Sequence, residues 1–152
     1  ASMLICEMAA FYRMKGISLI QARENMYKTY GVYYHTQQSF TFEGKAGMEK
    51  MNSIMENLRK NYVAEIGGLK VILFEDYLEG ISKNVETGEI TEIKLPKSNV
   101  LVFGLTDGAK VIIRPSGTEP KIKAYYTAIG ETQSDAQALE KKLAESFSKL
   151  IN

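Results

Sequence analysis

The chain has 152 residues, of which 45% are hydrophobic and 24% are charged, and its formal net charge is +1. This composition is typical of a globular domain and excludes a disordered tail, a collagen and a disulfide-stapled mini-protein. Because 19 basic residues are balanced by 18 acidic ones, the chain lacks the broad positive field that holds a nucleic-acid duplex, so any anion site must be local.

The N-terminal residues carry the signals for compartment. Cys6 is the only cysteine, which precludes an internal disulfide and fits a reducing, cytoplasmic environment. It lies in an apolar helical pattern, so we expect a buried packing residue rather than a nucleophile. No apolar run reaches the ~20 residues that span a bilayer, so neither a membrane partner nor a signal peptide is expected. Because Ala1 and Ser2 lead directly into a helical pattern, we expect the chain to be a piece of a longer protein.

The first 30 residues are predicted to form a hairpin of two helices. Apolar residues recur at helical spacing over residues 3–15, and Gly16 is a natural stop. Ser18 followed by Gln21 is a capping-box pattern that begins a second helix, which ends at Gly31. The apolar face comprises Leu4, Met8, Phe11, Tyr12, Leu19, Ala22, Met26 and Tyr30. Two helices cannot bury such a broad face alone, so either a further domain or the rest of this chain covers it.

The remainder of the chain shows helix signals at both ends of a run of strands. Residues 32–43 are predicted to be extended, and residues 46–60 helical. The apolar positions of that helix are Met48, Met51, Met55, Leu58 and Tyr62. Methionines at such spacing, including Met8, Met14 and Met26 of the hairpin, are expected in the core.

Strands follow from Ile66 to residue 129. They are punctuated by turn signals at Thr87-Gly88 and Asp107-Gly108. A second capping-box pattern, Ser134 with Gln137, begins a final amphipathic helix. The order of elements predicts an α+β fold, in which an antiparallel sheet is flanked by helices and preceded by the N-terminal helical hairpin.

The most informative segment is the loop between the last two predicted strands, Arg114-Pro-Ser-Gly-Thr-Glu-Pro-Lys121. Its prolines push the residues before them toward extended geometry, and Gly117 either adopts a positive φ or lets a ligand approach the backbone. The hydroxyls of Ser116 and Thr118 and successive N–H groups can converge on an anion. Arg114 adds a guanidinium that is suited to bidentate phosphate binding.

The strand after the loop adds positive charge. Lys121, Lys123 and Tyr125 share one face, because side chains alternate along a strand. Residues 114–125 carry three basic residues against the single acidic Glu119, a local charge of +2. The competing interpretation is a tight turn made by Pro, Ser and Gly with solvated lysines. The residues alone leave these two interpretations evenly balanced.

The eight residues from Arg114 to Lys121 resemble the signature loop in the last domain of the α-D-phosphohexomutases, the phosphoglucomutase and phosphomannomutase superfamily. The order of elements over residues 40–152 is similar to that domain, and the hairpin resembles the end of the family's third domain. The resemblance therefore implies two parts. Residues 1–39 would be the helical tail of the third domain with a linker, and residues 40–152 the C-terminal phosphate-binding domain.

The resemblance implies a role for six residues. In relatives this loop binds the phosphate of the sugar that is not being transferred. The corresponding residues are Arg114, Ser116, Gly117 (through its backbone), Thr118 and, less closely, Lys121 and Lys123. The family interconverts hexose 1-phosphate and hexose 6-phosphate through a phosphoserine of the first domain and a bisphosphate intermediate. The implied partners are a hexose phosphate (glucose or mannose) and the remaining domains of the parent.

The other catalytic parts of such an enzyme are absent from this sequence. It contains no Ser-His-Asn-Pro nucleophile loop, no Asp-x-Asp-x-Asp metal loop and no Glu-x-x-Ser-Gly sugar-recognition segment. The resemblance therefore implies Mg²⁺ in the full-length parent, but no catalytic residue, metal site or cofactor in this chain, which alone should be inactive. The only histidine, His35, is expected to be a surface or packing residue.

Two other functions stay open. Lys121, Lys123, Tyr125 and Tyr126 interleave basic and aromatic residues, as in proteins that bind single-stranded nucleic acid. No wider basic stripe accompanies them, so no nucleic-acid partner is expected. The third hypothesis is a scaffold domain without a ligand.

Overall fold

The computed structural model describes residues 1–61 and 63–151, with only the backbone described at Lys45. The helices are α1 (Ser2–Met14), α2 (Leu19–Tyr30), α3 (Lys45–Lys60) and α4 (Gln133–Ile151). The strands are β1 (Val32–Thr41), β2 (Glu65–Ile66), β3 (Leu69–Asp76), β4 (Ile81–Asn84), β5 (Ile90–Glu92), β6 (Leu101–Leu105), β7 (Lys110–Pro115) and β8 (Lys121–Gly130). In this part of the chain, none of the helices combines the length and hydropathy that a bilayer crossing requires.

The eight strands form one antiparallel sheet. Its order is β1-β8-β7-β6-β3-β4-β5, and the short β2 pairs with β3 beside this path. The predicted α+β fold is therefore confirmed, and so is the helical hairpin that precedes it. The strand β1 pairs with β8 from Val32 to Thr41, so it crosses the predicted domain boundary between residues 39 and 40. The division into two domains stays a prediction.

Helices α3 and α4 pack on one face of the sheet. The strands send alternate side chains to this face, except where the register of β3 shifts between Val71 and Leu73, and the face is covered by a single continuous core. Phe147 of α4 lies in that core, with its ring centroid 6.2 Å from that of Tyr126 and 6.4 Å from that of Phe40. The residues that close the core include Met51, Met55, Leu58, Val111, Ile113, Ile122, Ala124, Leu143 and Ile151.

The hairpin forms as predicted, but it has no fully buried residue in either helix. The Ser18–Gln21 capping box is confirmed. The N–H group of Ser18 donates to Oε1 of Gln21 at 2.9 Å, and the N–H group of Gln21 donates to Oγ of Ser18 at 3.2 Å. No residue of α1 or α2, both fully described, is buried. Packing of the apolar face against the rest of this chain is thereby excluded. Cys6 is exposed, so the expectation of a buried cysteine is wrong.

The methionine prediction holds only where a sheet lies opposite the helix. Met51 and Met55 of α3 are buried against the strands. The other four predicted core methionines are exposed: Met8, Met14, Met26 and Met48. Tyr62, predicted on the apolar face of α3, lies outside the described residues.

The connection between β6 and β7 is a tight turn. Asp107 and Gly108 both have positive φ, at 57° and 72°, which is the geometry of a primed hairpin turn, so the predicted β6–β7 hairpin is confirmed.

The cap of α4, however, is not the predicted Ser134–Gln137 pair. Thr132 accepts the N–H of Asp135 at 3.2 Å, and the Asp135 carboxylate accepts the N–H of Thr132 at 3.1 Å. The helix begins two residues earlier because Thr132 caps it first.

Candidate functional site

The predicted anion loop joins β7 to β8 at one end of the sheet. Arg114 and Lys123 are direct partners in the antiparallel ladder, so their side chains project from the same face. That face is opposite to α3 and α4, because Ile113 and Ile122, next to them in sequence, belong to the core. A cavity of about 240 Å³ opens here, and it is lined by Arg114, Pro115, Ser116, Gly117, Lys123 and Tyr125.

The cavity is electropositive. Its lining includes two cations and no acidic side chain. Within the described part of the chain, neither Arg114 nor Lys123 forms an ion pair. Like charges that face each other across a strand pair destabilise the sheet. An anion between the two side chains would offset that repulsion, and phosphate suits a guanidinium and an ammonium together.

The hydroxyl of Ser116 organises the turn. It accepts the N–H groups of Thr118 at 3.4 Å and Glu119 at 3.3 Å, both longer than a typical hydrogen bond. The N–H group of Ser116 itself donates to the carbonyl of Lys121 at 2.7 Å. Of the amides expected to converge on an anion, only that of Gly117 has no partner among the described residues.

Gly117 is open to solvent. Its φ is outside the left-handed region, so the turn does not require a glycine for conformational reasons. A Cβ atom built on it would meet nothing within 4 Å, so the fold does not require one for packing either. Of the two reasons that the sequence suggested for this glycine, only the close approach of a ligand is compatible with the geometry.

Two of the six predicted site residues lie outside the cavity. Thr118 is exposed and does not line it. Lys121 places its Nζ atom 2.8 Å from Oε2 of Glu119. The hydrogen bond from Lys121 and then its charge hold the pKa of the Glu119 carboxyl below its usual value. The structure thus brings together Arg114, Ser116, Gly117 and Lys123, and their role as phosphate ligands stays a prediction.

Two lining residues were not assigned to the site from the sequence. Pro115 precedes the turn, and Tyr125 follows Lys123 by two residues on β8. Strand alternation already put Tyr125 on the same face as Lys123, so the signal was present. The sequence did not indicate that the cavity extends that far along the strand.

A buried ion pair supports the same end of the sheet. Nε of Arg59 in α3 lies 2.6 Å from Oδ2 of Asp76, the last residue of β3, which is only 1% exposed. The same guanidinium donates through Nη2 to Oδ1 of Asn99 at 2.8 Å. Asp76 pairs with Leu101 of β6, which in turn pairs with Ile113, directly before Arg114. The pair therefore ties α3 to the segment that runs beside the start of the loop.

The remaining titratable candidates do not form a site. His35 is exposed, as predicted for a surface residue, and its Nδ1 atom lies 3.0 Å from Oγ1 of Thr127. Among the residues that the structure describes, no group of three or more His, Cys, Asp or Glu side chains is placed to hold a metal ion. Burial, with a smaller contribution from Glu140, raises the pKa of Tyr126 on the core side of β8.

Comparisons with known proteins point to one family. The profile of the phosphoglucomutase/phosphomannomutase C-terminal domain matches residues 51–146. A phosphoglucomutase of Staphylococcus aureus is 42% identical over 124 residues, which are 82% of this chain and 22% of that protein. A phosphoglucomutase of Staphylococcus saprophyticus is 39% identical over 112 residues, which are 74% of this chain and 20% of that protein. The chain therefore spans about a fifth of the length of these relatives.

A solved structure has the same fold. It is the open form of parafusin, an exocytosis-sensitive phosphoprotein and phosphoglucomutase from Paramecium. The two superpose with a TM-score of 0.52 over 88% of this chain and 22% of that one, at 16% sequence identity.

Proposed function

Because the chain belongs to the phosphoglucomutase/phosphomannomutase family, as its C-terminal domain, we propose that it binds substrate phosphate in a phosphohexomutase. The parent interconverts hexose 1-phosphate and hexose 6-phosphate, of glucose or mannose, through a phosphoserine and a bisphosphate intermediate. This chain holds the phosphate that is not being transferred. The cytoplasm, where sugar phosphates are used, is the proposed location.

The main support for the proposal is that Arg114 lies directly opposite Lys123 in the β7–β8 ladder, close to Gly117. The two cations face each other across the β7–β8 ladder, and no acidic side chain is among the residues that line their cavity. Gly117 carries no side chain, and no atom of the chain lies within 4 Å of the position that its Cβ atom would take. The Ser116 hydroxyl lines the same cavity and can donate to a phosphate oxygen while its lone pairs accept the turn amides.

The six residues are assigned unequal roles. Arg114 and Lys123 supply charge, Gly117 supplies its amide, and Ser116 supplies a hydroxyl. Thr118 contributes after a small rearrangement of the exposed turn. Lys121 is engaged by Glu119, so it acts mainly through the local field.

The contribution of this chain to the reaction is positioning. Binding energy from the remote phosphate holds the reacting end of the sugar in line with the phosphoserine of another domain. The chain alone is inactive, since it has no phosphoryl-accepting serine loop. The Mg²⁺ expected in the parent is bound by its other domains, which also cover the apolar face of α1 and α2.

The test is a titration of the isotope-labelled chain with glucose 1-phosphate, followed by NMR. The amides of residues 116–118 and of Lys123 should shift, and Arg114→Ala should weaken binding about 10- to 150-fold, the value of one charge-assisted hydrogen bond. Lys110→Ala is the matched control, because Lys110 is a cation on the same strand and face that does not line the cavity. Equal effects of the two substitutions would refute the assignment.

Gly117→Ala provides a second test. The added methyl group meets no atom of the chain, so the free energy of unfolding should be unchanged within about 0.5 kcal/mol. Binding of glucose 1-phosphate should nevertheless fall, because the methyl group stands where the phosphate approaches. If this variant binds glucose 1-phosphate as tightly as the wild type, close approach of the phosphate does not explain the glycine at position 117.

Single-stranded nucleic acid is the competing ligand, since Lys110 and Lys123 share the outer face with Tyr125. That function predicts that an oligonucleotide shifts the whole 121–126 strand and that Lys110→Ala weakens its binding. The mutase function predicts neither effect. If neither ligand binds, the scaffold hypothesis stands.

A further inference from the structure

Tyr125 lies at the end of the cavity that is furthest from the loop. It follows Lys123 on the outer face of β8 and is half-buried. Its direct neighbours across the ladders are Ile112 of β7 and Gln37 of β1. Arg114 is its diagonal neighbour, within the range that long and aromatic side chains bridge.

The two ends of the cavity therefore differ in chemistry, one being cationic and the other aromatic. Both cations and the turn hydroxyl stand at the loop, where a phosphate would be held. Tyr125 supplies an uncharged aromatic wall two residues further along the strand. A phosphate ester bound at the loop has its alcohol portion next to the phosphate, and one direction open to that portion follows β8 along the cavity. That direction leads over Tyr125.

Tyr125 has a hydroxyl group that is available to a ligand. Its phenolic oxygen has no hydrogen-bond partner among the described residues, although the side chain is half-buried. By contrast, Tyr126, on the core face, donates to Oε1 of Gln38 at 3.1 Å. An aromatic ring with a free hydroxyl offers an apolar face and a polar tip together. A sugar ring presents the complementary combination of C–H groups and hydroxyl groups.

We propose that Tyr125 contacts the hexose of the substrate, with its ring against the sugar C–H groups and its hydroxyl bonded to a sugar hydroxyl. The inference rests on the proposed function, since it requires phosphate at Arg114 and Lys123. It extends that function, because it makes this domain a reader of the sugar as well as of the phosphate. Tyr125 is then a specificity residue.

The experiment compares three probes that differ only in what the phosphate carries: inorganic phosphate, methyl phosphate and glucose 1-phosphate. Their dissociation constants are measured by NMR for the wild type, Tyr125→Phe and Tyr125→Ala. Tyr125→Phe should weaken glucose 1-phosphate about two- to tenfold, the range of one net hydrogen bond, and Tyr125→Ala should weaken it further. Neither substitution should alter the binding of inorganic phosphate or methyl phosphate by more than about twofold.

Tyr33→Ala is the matched control, because Tyr33 is an exposed tyrosine on the same outer face and does not line the cavity. It should leave all three dissociation constants unchanged. If Tyr125→Ala unfolds the sheet, Tyr125→Leu removes the ring while filling the space beside Ile112, and the same comparison of probes applies.

The outcomes separate the two proposals. A wild-type chain that binds none of the probes contradicts both the proposed function and this inference. If the wild type binds phosphate but the Tyr125 variants weaken all three probes equally, or none, the sugar contact is refuted while the phosphate site stands. Only a selective loss of glucose 1-phosphate supports the contact.

Discussion

The helices of the hairpin and those of the sheet domain all carry apolar residues at helical spacing, yet they differ in burial. Helices α3 and α4 place their apolar residues against the sheet, and Phe147 and Leu143 are fully buried. Helices α1 and α2 also carry apolar residues at helical spacing, but these are less segregated to one face, and no residue of either helix is buried. Helix periodicity thus reports that an apolar face exists, but only the arrangement of the other elements decides whether it stabilises the fold.

The difference predicts where the free energy of unfolding resides. In the sheet domain, burial of apolar surface and close packing supply it. In the hairpin, the apolar surface is exposed in this chain and contributes only local helix stability. Matched substitutions in the two regions should therefore have very different effects on global unfolding.

The largest expected difference is between two phenylalanines. Phe147→Ala removes a fully buried ring from the core and should lower the free energy of unfolding by about 3–5 kcal/mol. Phe11→Ala removes a ring that is 51% exposed on α1 and should cost less than about 1 kcal/mol. Urea denaturation followed by far-UV circular dichroism measures both. A comparable loss for Phe11→Ala would show that the hairpin is part of the cooperative core.

The next effect concerns polar contacts. Asp76→Asn removes the charge that the Arg59 guanidinium faces in a buried setting, and it should cost about 1.5–3 kcal/mol. The hairpin offers a polar control in Arg23, whose guanidinium lies 5.8 Å from the ring centroid of Tyr27 on an exposed helix. Arg23→Ala should cost no more than about 1 kcal/mol by the same measurement. The distinction between the regions is lost if the two variants unfold alike.

A smaller effect comes from two capping boxes of the same geometry, one in each region. Thr132→Ala removes the cap of α4 and should lower the global free energy of unfolding by about 1 kcal/mol. Ser18→Ala removes the cap of α2, and its effect should be confined to faster amide hydrogen exchange in that helix. Ser134→Ala is the control for α4, because the structure does not use Ser134 as a cap.

Most of the fold could be predicted because the helical and strand periodicities of the sequence are clear. The prediction failed where two sequence patterns suited the same structural role equally well. Thr132 with Asp135 and Ser134 with Gln137 both suit a helix start, and the end of β8 at Gly130, rather than any local preference, selects the first. Likewise, Met8 of α1 and Met51 of α3 both recur at helical spacing, yet Met8 is exposed and Met51 is buried. What lies opposite each helix is a property of the whole chain.

The same limit applies to the candidate site. The loop and its cations were identified from residue types, and alternation correctly placed Lys123 and Tyr125 on one face. The sequence did not show that Lys121 reaches back to Glu119 or that Ser116 accepts the turn amides, since these contacts depend on the three-dimensional path of the turn. The residues that line the cavity therefore differ from the six that the motif suggested.

The smallest expected effect follows from the largest change, removal of residues 1–30. Because no residue of α1 or α2 is buried, a chain that begins at Gly31 keeps the whole core. Its free energy of unfolding should stay within about 1 kcal/mol of the full chain, with β1 still paired to β8 from Val32 onward. It should also self-associate less, because the hairpin exposes large apolar side chains such as Met3 and Leu4. Urea denaturation and sedimentation velocity measure the two quantities. A truncated chain that unfolds at much lower urea would mean that the hairpin stabilises the sheet through β1, and the contrast between the two regions would have to be abandoned.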